Sequence, residues 1–496
     1  MADNTIQTDQ KFLMKGTFFT FLGMVLKVLA PIFTIVIARV FGKEIFGIYV
    51  STQLFVLTLC RVSVFGFDYG LHRYLPQNKV CNRPEHDGIV GSLRITALVA
   101  VLITVVICVG SFFGLHRLSS GLSMLSPLEI SLYALSILPY SLLVLFGGAS
   151  EGNRRPQYKI FINEFALSSL APIIALGLHF LHFEDRLSLP LGLFVANLLG
   201  LIVYIFLMNH QFPRLKWFVK DKIPQELLRF SLPIGFSEIV GAFLLRVDLW
   251  MVLALIGPEA AGVYAVIVTI SNGLKVIRRS YQPILTPVVA GMSKERLDTD
   301  LKPVYSYCVS MVTLIQLGIG FFIVLFPEQV MMIAGKSFVS EESPVAVLGI
   351  LMIGNLINGL FGLSGSVING LGKSSFLFFL NVVSLVVAVV LNYICIPRMG
   401  IAGAALSSML YQVMQCVWMN IYLKRMGYWP YEKYLIVQGI WIAGLTVLYI
   451  AVNTVCSLSI VEKVVVFAIA LLFILLTFWK QGLSQKNFHK KNEKRI

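Results

Sequence analysis

The chain has 496 residues, 57% of them hydrophobic and only 13% charged, with a mean hydropathy of +0.82. Most of it must therefore sit in lipid, and a water-soluble enzyme is excluded. The net charge of +15 does not point to nucleic acid, because no soluble domain is left over to carry a basic face, and it reports membrane topology instead.

Residues Asp3, Asn4, Gln7, Asp9 and Gln10 make the start of the chain polar, and no short apolar core with a small-residue cleavage site follows. A removable signal peptide is not expected, and the first apolar span stays as an anchor. Taking roughly 20 apolar residues per crossing predicts about fourteen helical spans. They cover 17–39, 45–66, 90–114, 127–148, 158–180, 190–208, 231–256, 260–282, 302–326, 343–367, 375–396, 401–423, 434–455 and 463–479. An even count puts both termini on one side. The two tails and the alternate loops hold roughly 29 of the 40 Lys and Arg residues, so both termini are expected in the cytoplasm and the protein in the cell inner (cytoplasmic) membrane. Seven cysteines are scattered without CxxC spacing, so neither a disulfide framework nor a zinc site is indicated.

The second and eighth spans begin with related turns. Gly42-Lys43-Glu44-Ile45-Phe46-Gly47-Ile48-Tyr49 returns as Gly257-Pro258-Glu259-Ala260-Ala261-Gly262-Val263-Tyr264, which marks a duplicated bundle. The expected organisation is a six-helix lobe over 1–208, a basic cytoplasmic linker over 209–230 with Lys216, Lys220 and Lys222, a second six-helix lobe over 231–423, and a C-terminal helix pair with a basic tail over 424–496. The fold class is all-α, a polytopic membrane protein.

An ionisable side chain at mid-bilayer costs several kcal/mol, so each needs a partner, an aqueous cavity or a route to the interface. Lys27 in the first span and Arg246 in the seventh occupy corresponding helices and lie near the midplane. Arg61 and Lys275 also correspond, within about two turns of a cytoplasmic helix end, where snorkelling competes with a cavity role. Asp68, seven residues after Arg61, is placed to neutralise it. Asp248 follows Arg246 by about 200° of helix, so the two need separate partners. Glu238 and Glu164 are further intramembrane acids. Lys27, Arg61, Arg246 and Lys275 are the candidates for a cationic cavity suited to phosphate or pyrophosphate, and Asp248, Glu238 and Glu164 for coupling to an ion.

Other motifs carry less. Gly370-Leu371-Gly372-Lys373-Ser374 resembles the end of a phosphate-binding loop, but Val367 stands where the first glycine belongs, so no ATPase is expected. His179 and His182 share a helix face without a third ligand, and no metal or cofactor is expected.

The paired G-x-E-x-x-G-x-Y turns resemble the polysaccharide-biosynthesis (O-antigen) flippases of the multidrug/oligosaccharidyl-lipid/polysaccharide exporter superfamily. So do Arg246-Val247-Asp248, Asn369-Gly370-Leu371-Gly372-Lys373, and the run from Asn392-Tyr393-Ile394-Cys395-Ile396-Pro397 to Ala405. The resemblance runs through the first twelve spans. It implies a MATE-like pair of lobes around a central cavity and the movement of undecaprenyl-pyrophosphate-linked repeat units across the inner membrane. It also implies work beside a polysaccharide polymerase and glycosyltransferases of the same pathway. A cation-coupled multidrug antiporter and a membrane-bound O-antigen polymerase are the competing readings.

Overall fold

Long apolar runs in lipid must satisfy every backbone N–H and C=O within the segment, which selects helices. The computed structural model describes residues 29–80, 84, 88–114, 125–153, 155–159, 161–163, 167–213, 215, 223–292, 294–338, 343–428, 439–441, 443–444, 461–472, 474 and 476. No strand occurs among them. Among the described residues, nine helices are long and apolar enough to cross a membrane, and the molecule is a multi-pass membrane protein.

In chain order the helices are α1 (Leu29–Val64), α2 (Phe67–Val80), α3 (Ile89–Phe112), α4 (Pro127–Leu135), α5 (Ile137–Gly152), α6 (Pro156–Lys159), α7 (Leu167–Phe180), α8 (Asp185–Gln211), α9 (Gln225–Leu244), α10 (Val247–Leu255) and α11 (Pro258–Ala290). They continue as α12 (Lys294–Thr299), α13 (Leu301–Leu325), α14 (Pro327–Met332), α15 (Ser343–Phe361), α16 (Ser364–Gly370), α17 (Ser374–Met399) and α18 (Ile401–Arg425). Residues 461–472 are helical, whereas most of the span expected at 434–455 lies outside the described residues.

Breaks inside expected helices are the main departure from the sequence reading. The span at 231–256 divides between Leu244 and Val247, that at 127–148 divides at Ser136, and that at 343–367 divides after Phe361. Conversely, the expected break between the first two spans is reduced to a single non-helical residue, Gly42, inside α1. Helix α11 also runs past Pro283 and Pro287 to Ala290, eight residues beyond the expected end.

The chain groups into two compact units, Met1–Val266 and Ile267–Ile496. The packing of α9 on α1 and α2 and of α10 on α1 assigns both helices to the first unit. This grouping follows contacts, whereas the linker at 209–230 is a division of the helix count.

Within the first unit, two backbone crossings depend on glycine. A Cβ at Gly47 would fall on the carbonyl of Pro258, and one at Gly262 would fall on the carbonyl of Lys43. These glycines are equivalent positions of the duplicated turn, so the two copies meet reciprocally about a local pseudo-two-fold. The preceding residues, Gly42 (φ 78°) and Gly257 (φ 134°), both leave helical geometry, as a shared turn requires. The second crossing joins α9 to the α1–α2 break: Cβ atoms on Gly66 and Gly235 would lie 2.5 Å from the carbonyls of Ser231 and Phe65.

In the second unit, α15 packs on α13 and α18, and α17 packs on α18. Gly359 permits the first of these contacts, since a Cβ there would strike the Gln316 amide. Gln316 in turn donates to the Leu274 carbonyl at 2.7 Å, and Asn355 donates to the Ser271 carbonyl at 2.8 Å.

Candidate functional site

The polar centre of the first unit lies where three interrupted helices approach one another. Arg246 occupies the break between α9 and α10, with φ −137° and ψ −7°, so its side chain is released from the register of either helix. Its Nη1 donates to Thr58 Oγ1 at 3.0 Å, and that hydroxyl donates to the Leu54 carbonyl at 2.9 Å. Nearby, Cys60 Sγ donates to the carbonyl of Ile137 at 3.5 Å, beside the α4–α5 break. Interrupted helices in a membrane are tolerated where the backbone is buried in protein or lines a cavity, and such breaks recur at binding sites.

Arg61 enters the same centre from α1. Its Nη1 donates to Asp68 Oδ2 at 3.0 Å, and the positive φ of Phe65 and Gly66 between them turns α2 so that the two side chains meet. Asp68 is buried, and its other oxygen has no hydrogen-bond partner among the described residues. Arg61 is also within electrostatic reach of Tyr69, Tyr140 and Glu238. Glu238 lies close to Tyr69, with Arg61 and Asp68 also in electrostatic reach. Arg246 feels both Arg61 and Tyr140. The centre therefore holds two guanidiniums and two carboxylates, unevenly shared: Asp68 neutralises Arg61, whereas Arg246 has no carboxylate partner among the described residues.

The expected site residues divide accordingly. Arg61, Arg246 and Glu238 come together. Asp248 does not join them, because it accepts from Tyr264 Oη at 2.8 Å through Oδ2 and from its own helix at Leu249 N through Oδ1. Lys275 lies on α11 in the second unit, half-buried. Lys27 and Glu164 lie outside the described residues. His179 pairs with Asp185 at 2.6 Å, and no group able to hold a metal ion occurs among the described residues.

A further half-buried cation was missed. Arg278, inside the predicted eighth span but not among the candidate site residues, lies on α11 in the second unit, where Nη1 donates to the Gly362 carbonyl at 3.3 Å at the α15–α16 break. Its Nε has no hydrogen-bond partner among the described residues.

Comparison with known proteins decides the family. The polysaccharide biosynthesis protein family matches residues 13–293, more than half of the chain. The chain belongs to this family. An uncharacterised membrane protein of Methanocaldococcus jannaschii is 22% identical over 394 residues, covering 77% of this chain and 91% of the relative. Among solved structures, the inward closed conformation of the lipid II flippase MurJ matches with a TM-score of 0.70 at 12% identity, covering 94% of this chain and 99% of that one. An inward-facing multidrug resistance MATE transporter matches with a TM-score of 0.66 at 14% identity, covering 85% and 95%. At these identities the likeness establishes the fold: this family member has the MurJ/MATE-like transporter architecture.

Proposed function

We propose that the protein is a flippase that moves lipid-linked oligosaccharides, with undecaprenyl-pyrophosphate-linked repeat units of a surface polysaccharide such as O-antigen or capsule as cargo, across the inner membrane by alternating access. Family membership and the resemblance of the fold to a lipid II flippase support this reading. The observation that carries it is Arg246, a guanidinium at a helix break, held by the Thr58 hydroxyl and facing no carboxylate among the described residues. Such a group is suited to an anion that must cross the apolar midplane, because a guanidinium presents fixed paired donors to phosphate oxygens.

In this proposal Arg246 takes the pyrophosphate together with Lys27, and Arg61 assists. Glu238 is the preferred carrier of a coupling ion, since Asp248 already serves Tyr264; Glu164 is the other candidate. Both termini face the cytoplasm, and the polyprenyl tail stays in lipid. The same Glu238 carboxylate is the feature that favours a cation-coupled drug antiporter, the second reading.

The deciding experiment locates polyprenyl-linked repeat units with a probe that cannot cross the bilayer, in membranes with and without the protein. Units trapped on the cytoplasmic face in its absence support flipping. Unchanged location overturns the flippase and brings the antiporter forward, and unpolymerised units already outside indicate a polymerase.

A further inference from the structure

A second basic site lies at the opposite end of α9 from Arg246. Gly70, Arg73 and Tyr74 of α2 and Glu226, Leu227, Arg229 and Phe230 of α9 enclose a recess of about 390 Å³. Its frame is fixed by close packing: a Cβ on Gly70 would strike the Ser231 hydroxyl, and Tyr74 and Leu227 are buried beneath. Arg73 and Arg229 are both exposed, and Glu226 is the one carboxylate in the lining. The Arg73 guanidinium lies 4.3 Å from the centroid of the Phe230 ring. Stacking on a ring face holds a guanidinium in place while its N–H edges stay free to donate.

The position matters as much as the chemistry. Arg229 precedes Arg246 by 17 residues, which places the recess about 25 Å away along the helix direction. With Arg246 near the midplane, that distance reaches the headgroup level of the inner leaflet, where a lipid-linked cargo first presents its phosphates.

We propose that Arg73 and Arg229 form a capture site for the diphosphate of a polyprenyl-linked cargo, occupied before the anion moves to Arg246. The proposal rests on the flippase reading and adds a step to it. A diphosphate is favoured over a glycerophospholipid because two guanidiniums on separate helices match two phosphate groups, whereas one phosphodiester satisfies one guanidinium fork.

The test uses the full chain in phosphatidylcholine vesicles, with and without phosphatidylglycerol, and a fluorescent undecaprenyl-diphosphate-linked sugar as cargo. Arg73→Gln combined with Arg229→Gln is expected to raise the half-saturating cargo concentration about tenfold in both vesicle types, with the maximal rate unchanged. Arg229→Lys, which keeps the charge and loses the fork, should fall between. Unchanged half-saturation, or a loss confined to the maximal rate, overturns the capture site. A defect seen only with phosphatidylglycerol also overturns it, and assigns the recess to a bilayer lipid. Wild-type protein that moves no cargo refutes the flippase reading itself, which is a separate failure.

Discussion

Gly47 and Gly262 meet through their backbones, each lying where a side chain would collide with the carbonyl of the other turn's second residue, Pro258 or Lys43. The duplicated octapeptide therefore acts as two halves of one contact, and its glycines are required by close approach. Gly47→Ala or Gly262→Ala forces these backbones apart at a cost of about 1–3 kcal/mol. If the contact belongs to one state of an alternating cycle, that cost shifts the population by roughly five- to 150-fold. Either variant is expected to insert normally and lose most transport, which a leaflet-location assay on membranes with matched protein levels measures.

Around this contact Lys43 pairs with Glu259, and Arg186 pairs with Glu44 at 2.9 Å. All four side chains are substantially accessible, so each pair contributes only about 0.2–1 kcal/mol. Lys43→Ala and Glu259→Ala should leave thermal stability nearly unchanged, with a double-mutant coupling in that range that shrinks in high salt. A coupling above about 2 kcal/mol contradicts this assignment.

Arg61 and Asp68 behave differently because the acid is buried. Arg61→Gln leaves the Asp68 carboxylate without its only hydrogen-bond donor among the described residues and should destabilise the protein by about 3 kcal/mol. Adding Asp68→Asn to that variant is expected to recover most of the loss, since the unpaired charge is then gone. Thermal unfolding of Arg61→Gln, Asp68→Asn and the double variant in one detergent tests this, and additive losses would contradict it.

The difference between what could and could not be read from the residues has a physical basis. Hydropathy located the nine spans found among the described residues because the bilayer imposes one length on all of them. Depth along a span identified Arg246 as costly, and the seven-residue separation linked Arg61 to Asp68, although the link is made across a turn at Phe65–Gly66 and not along a continuous helix. Helix periodicity does not reveal where a helix breaks, so the release of Arg246 from the register of α10 was invisible. Its partner Thr58 is 188 residues away, and no spacing rule reaches that far. Arg278 falls within the predicted span 260–282 but close to its end, where a side chain can snorkel, and the helix in fact continues past Pro283 to Ala290. Proline removes one donor, and surrounding helices can compensate for it inside a membrane bundle.

The two acids of the seventh predicted span should separate cleanly. Asp248 has both oxygens engaged, one with its own helix and one with the fully buried Tyr264. A hydrogen bond to a charged acceptor contributes about 1.5–3 kcal/mol, so Tyr264→Phe should lower stability by that amount, and Asp248→Asn should be partly tolerated because an amide oxygen still accepts. Glu238 instead sits with Tyr69 beside Arg61, where a change of charge alters the field on the guanidiniums. Glu238→Gln is expected to remove the dependence of transport on an ion gradient while Asp248→Asn retains it at reduced protein stability. Measuring cargo movement in vesicles with an imposed proton or sodium gradient, and again after the gradient is collapsed, distinguishes the two. Loss of the gradient effect in Asp248→Asn alone would transfer the coupling role to Asp248 and leave the Tyr264 bond as part of that mechanism.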